Sequence, residues 1–184
     1  MRVLEALLAP IADGDLRLEQ LNLDHREGLR AACAADTAIW EIYPSRLIGA
    51  DFDPGFEAIV AHPGRRPFAL ILDGRIVGMS GYLNIAEERQ TLEIGGTYLQ
   101  PDQRGTGLNR RIKQLVIDRA FASGFRRIEF RIDVRNGRSM AAVEKIGGVK
   151  EGVLRQERIT WNGHLRDTAL YSILAEEWAM ISAG

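Results

Sequence analysis

The stretch Gln100–Lys113, QPDQRGTGLNRRIK, constrains how this chain can fold more than any other. Gly105 and Gly107 stand directly ahead of an apolar stripe at helical spacing: Leu108, Ile112, Leu115, Val116 and Ala120. That spacing predicts a helix from about Leu108 to Ser123-Gly124. Upstream, RQTLEIGGTYL reads as a strand ending at Leu99, with Gly95-Gly96 inside it. Paired glycines within a strand mark a bulge or a close approach by a ligand. A strand, a glycine loop and a helix start leave free N–H groups pointing outward, with no side chain to hold an anion off. Arg104, Arg110, Arg111 and Lys113 crowd this helix start, where the backbone dipole is already positive. They are either solvated surface or the answer to a bound anion, and the Gly-x-Gly by itself does not decide. Two known phosphate loops are excluded. The chain reads Gly107-Leu108-Asn109 where a P-loop needs GK[ST], and Arg110 stands where GxGxxG needs its last glycine.

The charge distribution favours a local anionic ligand. Net charge is -1, yet residues 1–100 carry 9 arginines against 15 carboxylates, and residues 101–184 carry 15 lysines and arginines against 10. A basic segment in a neutral chain does not suit a long polyanion, so no nucleic-acid partner is expected. An RNA-binding reading needs aromatics free to stack among the arginines. Phe121, Phe125 and Phe130 lie there, but Phe130 falls on the apolar face of a strand. Cys33 is the single cysteine, set in an Ala-rich helix, and His25, His62 and His164 show no ligand spacing. Surface histidines, an inert thiol and no metal are expected. No apolar run is long enough to span a membrane, and the opening MRVLEALLAPIADGD is too short and acidic for a secretion signal. A soluble cytoplasmic protein with a single domain over residues 1–184 is expected, with a homodimer left open.

The remaining elements follow from periodicity. DLRLEQL alternates like a strand, and DHREGLRAACAA reads as a helix with Asp24 as its cap. DTAIWEIYPSRLIGADFDPG has the look of a loop with short helical pieces, and FEAIVAH is weakly helical. RPFALILDGRIVGMSGYLNI is a hairpin about Asp73-Gly74. RRIEFRIDV alternates with Ile128, Phe130, Ile132 and Val134 on one face, and NGRSMAAVEKIGG is a short helix capped by Asn136. VLRQERITW and HLRDTALYSIL flank Asn162-Gly163 as a second hairpin. The order predicts an α/β (α+β) fold, a mixed sheet with helices packed on it.

Here the chain resembles the GNAT superfamily of acyl-CoA-dependent N-acetyltransferases, whose signature is Q/R-x-x-G-x-G/A between a bulged strand and a helix. Arg104-Gly105-Thr106-Gly107-Leu108-Asn109 fits at five of six positions, Asn109 standing where a small residue is usual. Asn136–Ser139 as N-x-x-S, VEKIGG and EGVLRQERI resemble the branch containing ribosomal-protein-alanine acetyltransferases. The resemblance covers about residues 16–178. It implies a mostly antiparallel six- to seven-stranded sheet, helices on both faces, and a V-shaped splay between two parallel strands. The pantetheine arm of acetyl-CoA is then expected on the backbone of Tyr98 and Leu99, with Asn136 as a further contact. The pyrophosphate is expected on Arg104, Gly105, Thr106, Gly107, Leu108, Asn109 and Arg110.

Acetyl transfer needs a neutral amine and a route for a proton back to the thiolate. The resemblance implies Glu93, in TLEIGG, as base, and partial burial would raise its pKa toward that use; pairing with a cross-strand arginine or plain exposure is the alternative. The position often held by a proton-donating tyrosine is Val143, and the resemblance points instead to Ser139 as acid, though a first-turn serine commonly just caps. Trp40 and Tyr43 either line the amine pocket or pack on the core. Asp36, Glu41, Asp51 and Asp53 make that region acidic, which suits a cationic amine. The expected activity is direct attack by a primary amine, a protein N-terminus or a small molecule, on acetyl-CoA. The alternatives are another donor such as succinyl-CoA, or a non-catalytic acyl-CoA sensor or scaffold.

Overall fold

The computed structural model describes residues 2–182. Fourteen helices and strands run in the order α1 (Arg2–Leu8), β1 (Ile11–Asp13), β2 (Leu16–Gln20), α2 (Arg26–Ala34), α3 (Phe52–Ala61), β3 (Arg65–Leu72), β4 (Arg75–Ala86), β5 (Thr91–Leu99), α4 (Leu108–Ala122), β6 (Arg127–Asp133), α5 (Gly137–Glu144), β7 (Val149–Ile159), β8 (Leu165–Leu174) and α6 (Ala175–Ser182). One sheet takes all the strands in the order β1-β2-β3-β4-β5-β6-β8-β7. It has eight strands, not six or seven. The addition is β1, whose three residues are too few to show alternation. Every pairing is antiparallel except β5 with β6.

Alternation in the strands divides the core. Phe68 and Leu70 of β3 join α1, α4 and α5 on one face through Leu7, Ile112, Val116 and Val143. Ala69 and Ile71, between and beyond them, join α2 and α3 on the other through Leu29, Phe52 and Phe56. Both faces of the strand are buried, which is why these runs read as continuously apolar. The hairpin about Asp73 (φ 49°) and Gly74 (φ 77°) has left-handed backbone at both turn residues, matching the strand twist.

Two local expectations change. The cap before α2 is Asn22, whose side chain accepts from the Asp24 amide at 2.9 Å; Asp24 sits inside that turn. His25 is buried, its Nδ1 accepting from the Asn22 amide at 3.2 Å. Its imidazole closes the capping pair, so it is not a surface residue. Val134 lies past the end of β6 and is exposed.

The feature that makes a site is in β5. Gly81 pairs Gly95 and Met79 pairs Tyr98, so Gly96 and Thr97 together oppose Ser80 alone. This is a bulge, and Gly96 takes φ 60° within it. One extra residue inverts the alternation. Leu92 and Ile94 face the α4 side; beyond the bulge Leu99 faces that side and Tyr98 the other. Meanwhile β5 and β6 pair only through Thr91–Arg127, Leu92–Ile128 and Glu93–Glu129. Past Glu93 the two strands part, forming the splay.

A Cβ on Gly96 would meet nothing within 4 Å, so only backbone conformation demands glycine there. Gly96→Ala is expected to lose about 1–2 kcal/mol of stability, and Gly96→Asn distinctly less, in urea unfolding. Equal losses would show that space, not the left-handed backbone, sets the residue.

Candidate active site

A cleft of about 330 Å³ opens where β5 and β6 part. Its walls are Glu93–Thr97 and Leu99 of β5, Phe130–Asp133 of β6, Asn136, Ser139, Ala142 and Val143 of the α5 segment, and Trp40, Ile42, Tyr43, Pro44 and Ser45 from the loop before α3. One end reaches Arg104, Gly105, Asn109 and Lys113; other lining residues include Arg65, Arg138, Arg158 and Arg166.

At the first end the glycine loop is built as the sequence demands. Gly105 (φ 81°) and Gly107 (φ 90°) are left-handed, and a Cβ on either would meet nothing within 4 Å. Gly107 caps α4 without a side-chain bond. Thr106 Oγ1 accepts from the Leu108 amide at 3.3 Å. Among the described residues, the amides of Asn109 and Arg110 have no acceptor outside the helix. An open glycine cradle with free helix-start amides fits a diphosphate. Thr106, Gly107, Leu108 and Arg110 do not line the cleft, and Leu108 is buried in the core.

Two of the cations around this loop are paired within the fold. Arg111 pairs with Asp13 and Asp15, tying α4 to the β1–β2 turn. Arg104 is bound by Asp36 and donates from Nε to the Leu99 carbonyl at 2.8 Å. That leaves Arg110, exposed and with no ion pair among the described residues, free to meet an incoming anion. Leu99 thus has its carbonyl occupied by Arg104, and the Tyr98 ring is buried against Trp40 at 4.9 Å, its hydroxyl donating to the Ala32 carbonyl. Leu99 lines the cleft, and Tyr98 does not.

At the vertex of the splay stands Glu93, 7% exposed. Burial raises its carboxyl above the ordinary value, against the opposing pull of an Asn84 bond and of Arg131 and Arg158. Asn84 Nδ2 donates to Oε2 at 2.8 Å, which fixes the carboxylate's orientation. Asn84 holds this place in a left-handed conformation, φ 49°. Next to the bulge is Lys113, which the sequence places only among the cations at the helix start. Lys113 is only 7% exposed, and its Nζ donates to Thr97 Oγ1 at 2.7 Å. Thr97 Oγ1 also shares a hydrogen with Ser80 Oγ at 2.8 Å. Burial pushes the Lys113 ammonium down to about 7, with Glu93 pulling the other way. Its signal was available: Lys113, Val116, Ile117 and Ala120 share the buried side of α4, so this lysine lies on an apolar stripe.

Asn136 caps α5, accepting from the Ser139 amide at 3.0 Å. Both line the cleft, and so does Val143, which has no proton to give. Trp40 and Tyr43 both pack on the second core and both line the cleft. Trp40 is buried in the second core, yet both rings lie on the cleft wall. The Tyr43 hydroxyl donates to the Thr97 carbonyl and is pushed up to about 12 by burial. The β7–β8 hairpin clasps this loop: Trp161 Nε1 donates to the Trp40 carbonyl at 2.8 Å.

The acidic loop does not present its charge to the cleft. Asp36 is held by Arg104, Asp51 by Arg46 and Asp53 by Arg30, while Glu41 accepts from Asn162. None of the four lines the cleft. Among the described residues no cluster of His, Cys, Asp or Glu could hold a metal, and no helix is long and apolar enough to cross a membrane.

With this geometry the chain matches the family model for the acetyltransferase (GNAT) domain over residues 15–149. It belongs to that family and is an acyltransferase. Similar solved structures extend the match. A GCN5-related N-acetyltransferase from Brucella melitensis is 28% identical, with TM-score 0.84, covering 96% of this chain and 83% of the other. Mycobacterium smegmatis RimJ in complex with CoA-disulfide shares the fold at 22% identity and TM-score 0.75, covering 88% and 83%. The microcin C7 self-immunity acetyltransferase MccE, in complex with acetyl-CoA and AMP, shares it at 20% and 0.77, covering 88% and 93%. Comparison with curated proteins finds no match.

The buried lysine gives a pH test. Unfolded Lys113 keeps its proton up to about its ordinary 10.5, whereas the folded group loses it near 7. Across that window the unfolded state binds more protons, so stability contributed at this site rises with pH, by at most about 1.4 kcal/mol per unit. Urea unfolding from pH 6 to 9 is expected to show the wild type gaining on Lys113→Met as pH rises. Parallel curves would place the lysine's pKa outside this range.

Proposed function

We propose that this chain, as one catalytic domain, transfers an acetyl group from acetyl-CoA to a primary amine by direct attack within a ternary complex. The observation that carries the reading is a buried carboxylate at the vertex of a cleft whose other end is an open glycine cradle. Coenzyme A supplies the activated acetyl group as a thioester. The residues that fit it are the amides of the Arg104–Arg110 loop for the diphosphate, the strand backbone around Tyr98 and Leu99 for the pantetheine arm, and Asn136 beside it. A strand-like ligand suits the gap because parting strands leave main-chain groups unpaired.

Glu93 takes the proton that an ammonium must lose before it attacks. Its raised pKa, caused by burial, makes it a stronger base than an exposed carboxylate, and the Asn84 bond leaves Oε1 to receive the proton. Ser139, at the first turn of α5, returns a proton to the leaving thiolate; Val143 occupies the place where a tyrosine would do so. Lys113, across the splay from Glu93, answers negative charge that develops at the bulge. Trp40 and Tyr43 shape the acceptor side. A single buried cysteine, its thiol pushed up to about 12, gives no covalent route, and dependence on coenzyme A together with a free thiol supports a cytoplasmic setting.

Glu93→Gln is expected to lower kcat by about 10²–10⁴-fold and to abolish the acidic limb of the pH–rate profile, with coenzyme A affinity unchanged in calorimetry. Ser139→Ala is expected to lower kcat by less. Full turnover by Glu93→Gln at neutral pH would remove it as the base.

A further inference from the structure

Resting on the acetyltransferase reading, we propose that the acceptor is a small zwitterion: a primary amine carrying an oxyanion, carboxylate or phosphate, within a few bonds. Its oxyanion is held by Arg65, Arg131, Arg158 and Arg166, and its ammonium is presented to Glu93. These arginines come from four strands, β3, β6, β7 and β8, and all line the same cleft. No local sequence pattern joins them.

Their charges are under-answered. Arg158 and Arg166 are direct cross-strand partners, an arrangement of like charges that destabilises a sheet unless something lies between them. Arg166 is 5% exposed. One of its terminal nitrogens donates to the Arg131 carbonyl at 3.0 Å, but its buried Nε has no partner, and it makes no ion pair among the described residues. Arg131 has three carboxylates around it, none closer than 3.4 Å. Its buried Nε has no hydrogen bond, Glu93 lies 3.7 Å away, and its contacts to Glu129 and Glu157 are 3.4 Å and 3.8 Å. The Arg65 guanidinium has neither a hydrogen bond nor an ion pair among the described residues. Burial and then the neighbouring Arg158 hold both Arg65 and Arg166 below their ordinary values, against the opposing pull of Glu93 on both and of Asp133 and Glu157 on Arg166.

The acids nearby do not settle the account. Asp133 is taken by Arg135 through two short bonds. Glu129 is shared with Arg127 at 3.1 Å. Glu157 accepts from Thr168 and meets Arg158 at 3.5 Å. Burying an unpaired guanidinium is expensive, and removing its partner from a buried pair is the costliest case. A ligand oxyanion supplies the missing partner, and the planar fork of arginine matches a carboxylate or phosphate with two parallel bonds. Glu93 stands among these cations, so an amine bearing an oxyanion meets complementary charge at both ends. A bare cationic amine meets net repulsion, and a peptide N-terminus has a neutral carbonyl where the oxyanion would sit.

The test uses matched acceptors with acetyl-CoA, read as thiol release: free amino acids, their carboxamides, the decarboxylated amines, aminoalkyl phosphates and short peptides. Coenzyme A binding is measured in parallel on every variant. Amino acids or aminoalkyl phosphates are expected to exceed their neutral counterparts by roughly 10–100-fold in kcat/KM, and which of the two leads separates carboxylate from phosphate. Arg65→Gln and Arg166→Gln are expected to collapse that preference through KM while still binding coenzyme A, which also shows that they fold. Equal or better use of carboxamides, bare amines or peptides overturns the proposal, as does an acid-over-amide preference that survives both substitutions. Absence of turnover with every anionic acceptor, while coenzyme A binds, overturns it too. Failure of the wild type to bind coenzyme A instead removes the acetyltransferase reading, and this inference with it.

Discussion

Everything in the site depends on how short the contact between β5 and β6 is. Three residue pairs hold the two strands together, and the pairing stops at Glu93. If it ran on to Leu99, the strand backbone would be satisfied, the bulge would have no room, and the cleft would be closed core. The glycine bulge prevents this. By inserting one residue opposite Ser80 it inverts the alternation, so that Tyr98 can anchor the α2 side while Leu99 returns to the α4 side. Each sheet face is packed by its own cluster, so the gap opens between two cores that are already complete.

The same parting sets the electrostatics. A carboxylate at the vertex and a lysine beneath the bulge are withdrawn from water from opposite sides, and burial moves each toward neutrality. Their mutual attraction opposes that drift without cancelling it. A cleft whose acid and base both titrate nearer neutrality than in water is suited to moving protons at ordinary pH. The cations at the helix start, by contrast, are mostly pinned. Arg104 and Arg111 serve as ties, holding the glycine loop to the loop before α3 and α4 to the β1–β2 turn. Of the conspicuous arginines only Arg110 is left unpaired among the described residues, and the arginines that line the cleft come from strands far apart in the chain.

Much of the architecture was readable from local pattern. The Asp73-Gly74 and Asn162-Gly163 hairpins, the α4 stripe and the alternation of β6 are each specified within about a dozen residues, because turn chemistry and burial period are local properties. Elements with few residues escaped: β1 is too short for alternation to register. The cap before α2 moved from Asp24 to Asn22 because the decisive partner was a histidine ring, which no spacing rule flagged. Within the site, Asn136 and the glycine loop were legible as single-segment motifs, whereas Lys113 was seen only as one more cation near a helix start.

What the sequence alone determined, then, is the set of elements, their order and the glycine cradle, since each is dictated by neighbours along the chain. Only the tertiary structure decided which charges remain available. Asp36, Asp51 and Asp53 look like an acidic pocket in the sequence, but folding brings an arginine to each and removes them from the cleft. Arg65, Arg131, Arg158 and Arg166 look like scattered strand charges, and folding collects them around one cleft, where the buried Nε atoms of Arg131 and Arg166 have no hydrogen bond. Whether a charge is spent or free depends on partners as many as 100 residues away, and that pairing is settled only when the sheet closes its register.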